Sequence, residues 1–171
     1  MLACFSDSPY KIEFSSDIVF KTVLNSHKEY NKWLCSKYPW LCPYNVITGS
    51  LPKDYDYEYT WLDFIPEGWR NNFGLKLCEE IQSLLIEANF ENKYKIIQIK
   101  EKYGSLRWYS EEVPISINKR YDDLIDKYED LSKKICIFCG QPANLKLDGW
   151  VIPLCDKCYD EYENKRVITG W

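Results

Sequence analysis

An α+β fold is predicted by three observations. Apolar residues recur at helical spacing in two stretches, from Phe73 to Ala88 and from Ile117 to Leu131. A hairpin pattern turning at Gly104 lies between them, and two C-x2-C pairs follow near the C-terminus. Together they describe a small antiparallel sheet with two amphipathic helices packed on it and a C-terminal ribbon held by cysteines. The expected division is an α+β domain over 1–134 and a Cys4 ribbon over 135–171 docked to it. A chain of 171 residues accommodates one ordinary domain with a small appended module. Its 46% hydrophobic residues, with 14 Tyr and 7 Trp, are the composition of a protein that buries a core.

Taken in order, Ser26-His27-Lys28-Glu29 has the spacing of a capping box and predicts a helix running to Tyr38, stopped by Pro39. Three prolines and one Gly over 39–53 predict an ordered loop, anchored by Trp40 and Tyr44. Acids and tyrosines alternate from Asp54 to Tyr59, which predicts a strand with rings on one face and carboxylates on the other. That segment has two readings, an acidic aromatic recognition edge or an ordinary half-buried strand. After Pro66, Glu67-Gly68-Trp69-Arg70 leads into a helix carrying Phe73, Leu77, Ile81, Leu84, Leu85 and Ala88, with Asn89 as its C-terminal cap. Tyr94 to Tyr109 reads as a hairpin turning at Lys102–Ser105, where Gly104 supplies a positive φ. A second helix, from Pro114 to about Lys134, lines up Ile117, Tyr121, Leu124, Ile125, Tyr128 and Leu131.

Cys136-Ile137-Phe138-Cys139-Gly140 and Cys155-Asp156-Lys157-Cys158 have the spacing of a zinc ribbon. Two thiolates three positions apart in a tight turn can both reach one ion at about 2.3 Å, and a second such knuckle completes a tetrahedron. Four thiolates leave no open position for water or substrate, so the ion expected is a structural zinc. Gly149-Trp150-Val151-Ile152-Pro153-Leu154 reads as the strand that returns the chain to the second pair. A redox dithiol or an iron–sulfur cluster fits less well, because no thioredoxin-like βαβ pattern surrounds the pairs. Cys4, Cys35, Cys42 and Cys78 show no comparable spacing. Cys35 and Cys42 with His27 offer the outline of a second metal site, but free cysteines are commonly buried small hydrophobes.

With 22 basic and 26 acidic residues the net charge is −4, which gives no general attraction to nucleic acid or anionic membranes. The first residues lack the basic and apolar regions of a signal peptide, and no stretch reaches the roughly 20 apolar residues of a spanning helix. The reading is a cytoplasmic protein with no membrane partner, whose thiols stay reduced and favour metal over disulfides. His27 is the only histidine, which removes most acid–base and nucleophilic schemes, and no Walker loop or dinucleotide fingerprint is present. The acidic neighbours Glu111-Glu112 and Asp122-Asp123 point in different directions and read as solvated faces.

Charge is segregated, however. Lys93 to Arg107 holds five bases and one acid, and Tyr103, Trp108 and Tyr109 lie among or beside them. That mixture of cations and rings can stack bases or grip phosphate, so hairpin 93–109 is a candidate nucleic-acid surface. The opposing reading pairs these bases internally with the acids of Asp54–Glu67 and Tyr121–Asp130.

The strings Gln98-Ile99-Lys100-Glu101-Lys102-Tyr103-Gly104-Ser105-Leu106-Arg107-Trp108-Tyr109, Cys136-x2-Cys139-Gly140-x-Pro142-Ala143, Gly149-Trp150 and Cys155-Asp156-x-Cys158 carry a resemblance. They are similar to a largely uncharacterised family of small bacterial and phage zinc-ribbon proteins. In that family a segment like QVKEKFGxLRFY precedes a ribbon like CxxCGxPGxxxxxGWxxxxCD. The likeness spans roughly residues 60 to 160. Some relatives carry Cys and His in the second pair, where this chain has two cysteines. Prophage and mobile-element settings imply accessory roles such as immunity, anti-defence or partner binding, and no reaction. The resemblance marks Gly68, Trp69, Lys100, Lys102, Gly104, Arg107 and Trp108 for attention. The expected function is that of a non-enzymatic, zinc-stabilised binding protein with a protein partner. Nucleic-acid binding through the hairpin is the alternative. A small-molecule or nucleotide pocket, with Lys100, Lys102 or Arg107 on a phosphate, is a third.

Overall fold

The computed structural model describes residues 18–44, 49–148 and 150–169, with side chains described over 26–44, 49–146 and 151–164. Cys4, the first residues and Gly149 lie outside the described residues. Within them the fold is α+β as expected, with helices around two separate two-stranded antiparallel sheets, one the hairpin and the other the ribbon.

Helix α1 is already under way at Ile18 and runs to Lys37, so Ser26–Glu29 lies inside it instead of opening it. A capping box acts only where the chain enters a helix, and its residues are otherwise tolerable helix formers. Pro39 ends α1 as expected and starts a 3-10 turn, Pro39–Leu41. Trp40 is buried there, donates from Nε1 to Gln82 Oε1 at 2.6 Å, and stands edge-on to Tyr94 and Trp108. Tyr44 donates to Ile96 O at 3.0 Å, which ties this loop to the hairpin.

The strand expected over Asp54–Tyr59 is absent. Tyr57 has φ +65°, which breaks extended backbone. The Tyr57 carbonyl accepts from Asn31 Nδ2 at 2.9 Å, so α1 takes the place of a neighbouring strand. Lys28 pairs with Asp56 and Glu58, and the tyrosine rings contact one another, Tyr55 lying 5.1 Å from Tyr57 and 5.9 Å from Tyr59. The alternation therefore reflects ring clustering and solvated acids, not a pleat. A capping box does occur just beyond, where Asp63 Oδ2 accepts from Thr60 N at 2.6 Å and Thr60 Oγ1 at 3.0 Å around the 3-10 turn Trp61–Phe64.

The next helix has three parts: α2, Glu67–Trp69; a π-helical turn, Arg70–Gly74; and α3, Leu75–Glu87. Trp69, Phe73, Leu77, Ile81 and Leu85 are buried on its inner face. Asn89 takes φ +49°, and bonds from Phe90 N to Leu85 O and from Asn89 N to Ile86 O form a Schellman cap. The hairpin pairs β1, Ile96–Lys102, with β2, Ser105–Ser110. Tyr103 and Gly104 both have positive φ, the geometry of a two-residue I′ turn whose twist suits flanking strands. Helix α4, Ile115–Ser132, follows Pro114 and packs on α3 and β2, burying Ile117, Tyr121, Leu124, Ile125 and Tyr128. The ribbon strands are β3, Asn144–Asp148, and β4, Trp150–Leu154, and α5, Asp156–Thr169, closes the described chain.

Two glycines set how the ribbon meets the rest. Gly68 N donates to Ile137 O at 2.9 Å, and a Cβ there would lie 2.2 Å from Cys136 O and 2.7 Å from Gly140 N. At the hairpin turn, a Cβ on Gly104 would lie 2.8 Å from Leu145 Cδ2 and 3.0 Å from Val151 O. The first contact is backbone against backbone, so no rotamer can relieve it. Gly68→Ala is expected to destabilise at the upper end of the about 1–3 kcal/mol that overpacking costs. Denaturant unfolding measures this, and an unchanged midpoint would show that the knuckle does not rest on Gly68.

Candidate metal centre

The first cysteine pair sits on a closed turn. Cys136 N donates to Gln141 O at 2.7 Å, Gly140 N to Cys136 O at 3.0 Å, and Ile135 bridges Pro142. This turn is held against the helix start, with Asn72 Nδ2 donating to Gly140 O at 2.8 Å and Trp69 Nε1 to Ile135 O at 2.8 Å. The second pair spans the junction of β4 and α5. Cys155 acts as a cap there: Cys158 N approaches its Sγ at 3.5 Å and Tyr159 N donates to its carbonyl at 2.9 Å. The positive end of α5 thus faces the sulfur cluster, which favours thiolate.

The four Sγ atoms of Cys136, Cys139, Cys155 and Cys158 all lie within 4.8 Å of one another, Cys139 and Cys155 at 3.6 Å. An ion bound at about 2.3 Å by four sulfurs needs sulfur–sulfur edges of about 3.8 Å. The donor set therefore fits a tetrahedral metal ion. Burial works against a thiolate on Cys136, but backbone N–H groups of Cys139, Cys155 and Phe138 outweigh it and bring its pKa down to about 7. Burial and the neighbouring sulfurs push Cys158 the other way. A bound divalent ion would favour the thiolate form of every sulfur that ligates it. Among the described residues no other set of three or more ligating side chains converges. His27 makes no second site with Cys35 and Cys42: its ring nitrogens lie 3.3 Å from Asp63 Oδ1 and 3.3 Å from Asn31 Nδ2.

The other candidates separate into two groups. Trp69 and Trp108 are buried, with Trp108 Nε1 donating to Tyr94 OH at 2.8 Å; both belong to the core and not to a contact surface. Arg107 is bound to Glu129 of α4 and donates to Ser105 Oγ and Leu106 O. Lys102 and Tyr103 are exposed and Lys100 is half-buried. Lys100 Nζ lies over Tyr109 and Lys102 Nζ over Tyr103, 5.4 and 5.3 Å from the ring centroids.

Two features escaped the sequence reading. Asp63 gathers His27, Thr60 and Arg70, the last at 2.6 Å, and fixes the loop ahead of α2; the Thr60-x-x-Asp63 spacing was its available signal. Cys35 and Cys42 are brought within bridging distance of each other, with Cα atoms 5.5 Å apart. The helix end and the 3-10 turn fold seven positions back on themselves, and no spacing rule announces that.

The chain matches no protein-family model, no curated protein and no solved structure. None of the described helices is long and apolar enough to cross a membrane.

If these sulfurs hold an ion, Cys139→Ser should bind it far more weakly and lose ordered structure in the ribbon. Metal-to-protein stoichiometry and thermal unfolding with and without chelator measure this. Retained metal together with an unchanged melting temperature would overturn the assignment.

Proposed function

We propose that the chain is a zinc-stabilised, non-enzymatic protein-binding protein whose contact surface is the end of hairpin 93–109 together with the ribbon. Zinc is the ion because a closed Cys4 set with paired C-x2-C spacing suits its tetrahedral, thiolate-rich coordination. One observation carries the binding reading. Tyr103 stands 72% exposed at a turn whose next residue, Gly104, is seated on the ribbon. A large ring held out on rigid backbone loses little freedom on binding, which is how aromatic anchors work at interfaces. Leu145, 40% exposed, lies beside the same turn and extends the apolar surface onto the ribbon. The resemblance to phage and prophage ribbon proteins suggests a role in immunity or anti-defence, in the cytoplasm.

Nucleic-acid binding is the second reading, favoured by the two lysine–tyrosine pairs. It is weakened because Arg107 is committed to Glu129 and Lys95 lies 3.9 Å from Glu111. Lys93, Lys100 and Lys102 are left with no carboxylate partner among the described residues. Three lysines give a small phosphate footprint on a chain of net charge −4.

Metal-loaded protein is expected to show no binding to single- or double-stranded DNA or RNA even at low salt. It should also capture a protein partner that Lys102→Glu with Tyr103→Ser fails to capture, a loss of at least about 30-fold, as at an interface hot spot. The double variant should keep its metal and melting temperature. Nucleic-acid affinity that falls steeply with salt and vanishes in the same variant would replace this reading with the second.

A further inference from the structure

Cys35 ends the inner face of α1 and is 7% exposed, while Cys42, just after the 3-10 turn, is half-buried. Their Cα separation of 5.5 Å falls within the window in which cysteines bridge without backbone movement. The ring they close contains Tyr38, Trp40 and Leu41, all buried. Cys35 Sγ also contacts the Tyr55 hydroxyl at 3.7 Å, and that hydroxyl donates to Tyr59 O at 2.6 Å. The sulfur pair therefore touches both the aromatic core and the tyrosine loop.

We propose that Cys35 and Cys42 are a reversible redox site that exchanges with small-molecule disulfides, Cys42 attacking and Cys35 resolving. In the reduced chain the Cys42 thiolate, the more accessible of the two, attacks one sulfur of the small disulfide. That sulfur–sulfur bond breaks, and one small thiolate leaves and takes up a proton. A mixed disulfide remains on Cys42. Cys35 then gives up its proton and attacks Cys42 Sγ, releasing the second small thiol. Two protein thiols and one small disulfide become one protein disulfide and two small thiols, so two electrons and two protons pass to the small molecule. Reduction retraces the path, with a small thiolate attacking Cys42 Sγ. Reactivity follows access as well as thiolate character, which assigns the order.

The remaining described cysteines do not compete. Cys78 is fully buried and its thiol is pushed up by that burial, and the ribbon four are engaged by the metal in the loaded protein. The site has no part in the binding surface proposed above, and either proposal can fail alone.

The test uses the full, metal-loaded chain, reduced and then exposed to oxidised glutathione, quenched with acid and digested with trypsin. The peptides Trp33–Lys37 and Tyr38–Lys53 should be recovered joined by a disulfide. Cys35→Ser should accumulate a stable glutathione adduct on Tyr38–Lys53, while Cys42→Ser should acquire one on Trp33–Lys37 at least about tenfold more slowly. Rapid quenching of the unsubstituted chain provides the same reading without a variant, with the transient adduct expected on the Cys42 peptide. Equal adduct rates in the two variants, a transient adduct on Cys35, or two thiols still free after prolonged exposure would each overturn the proposal.

Discussion

The seating of the first cysteine knuckle on Gly68 is a contact between two main chains, and much of the molecule is arranged around it. Gly68 N reaches Ile137 O, Trp69 Nε1 reaches Ile135 O, and Asn72 reaches Gly140 O, all from two turns of one helix. Those turns contain the π-helical segment Arg70–Gly74, a form that recurs where a helix must re-aim its side chains. Trp69 and Phe73 then carry the contact into the core, where Phe73 packs on Tyr128 of α4. The sulfur cluster is consequently not a free appendage. Whatever free energy a bound ion supplies to the ribbon is delivered to the same helix that organises the core.

Hairpin and α4 are joined by polar contacts that a charge count conceals. Leu106 N donates to Ser132 Oγ at 2.8 Å, Ser105 Oγ to Glu129 O at 3.1 Å, and Arg107 reaches the Glu129 carboxylate. Burial lifts the Glu129 carboxyl above its ordinary range while Arg107 pulls it back, so each group depends on the other. Deeper in, Tyr94 and Tyr121 share a hydroxyl contact at 2.6 Å, and Trp108 and Ser110 complete the network. Burial, with Tyr121 beside it, pushes Tyr94 well above the usual phenol range. These aromatic groups need partners because a buried donor without one is costly. The abundance of Tyr and Trp thus has a structural origin over much of the chain, and only the rings that stay outside bear on binding.

What could be read from the sequence follows from where local chemistry decides. Asn89, Gly104 and Pro39 act through their own backbone preferences, and each does what its residue type dictates. The helical stripes were legible because burial repeats along them, and the thiol quartet because ligand spacing is itself local. Asp54–Tyr59 misled because period two marks a strand only where a partner strand exists, and α1 supplies side chains instead. Trp69 and Trp108 could be placed inside or outside with equal ease, since the indole partners Ile135 O and Tyr94 OH come from remote positions. Gly68 was visible as a residue but not as a contact, because its necessity comes from Cys136 and Gly140 about seventy positions later.

The cysteines show the same division between local and tertiary information. Cys136, Cys139, Cys155 and Cys158 converge because two short turns each present a pair, and docking then brings the pairs together. Cys78 faces the core from α3 and behaves as a small hydrophobe. Cys35 and Cys42 belong to neither class, since their proximity arises from a helix end reversing through Pro39. A candidate metal set and a cysteine pair within bridging distance coexist in one chain because each cysteine's neighbours are fixed by a different element. The four ribbon sulfurs converge on one another and Cys35 lies against Cys42, so the fold and not the properties of the thiols sorts them into two groups.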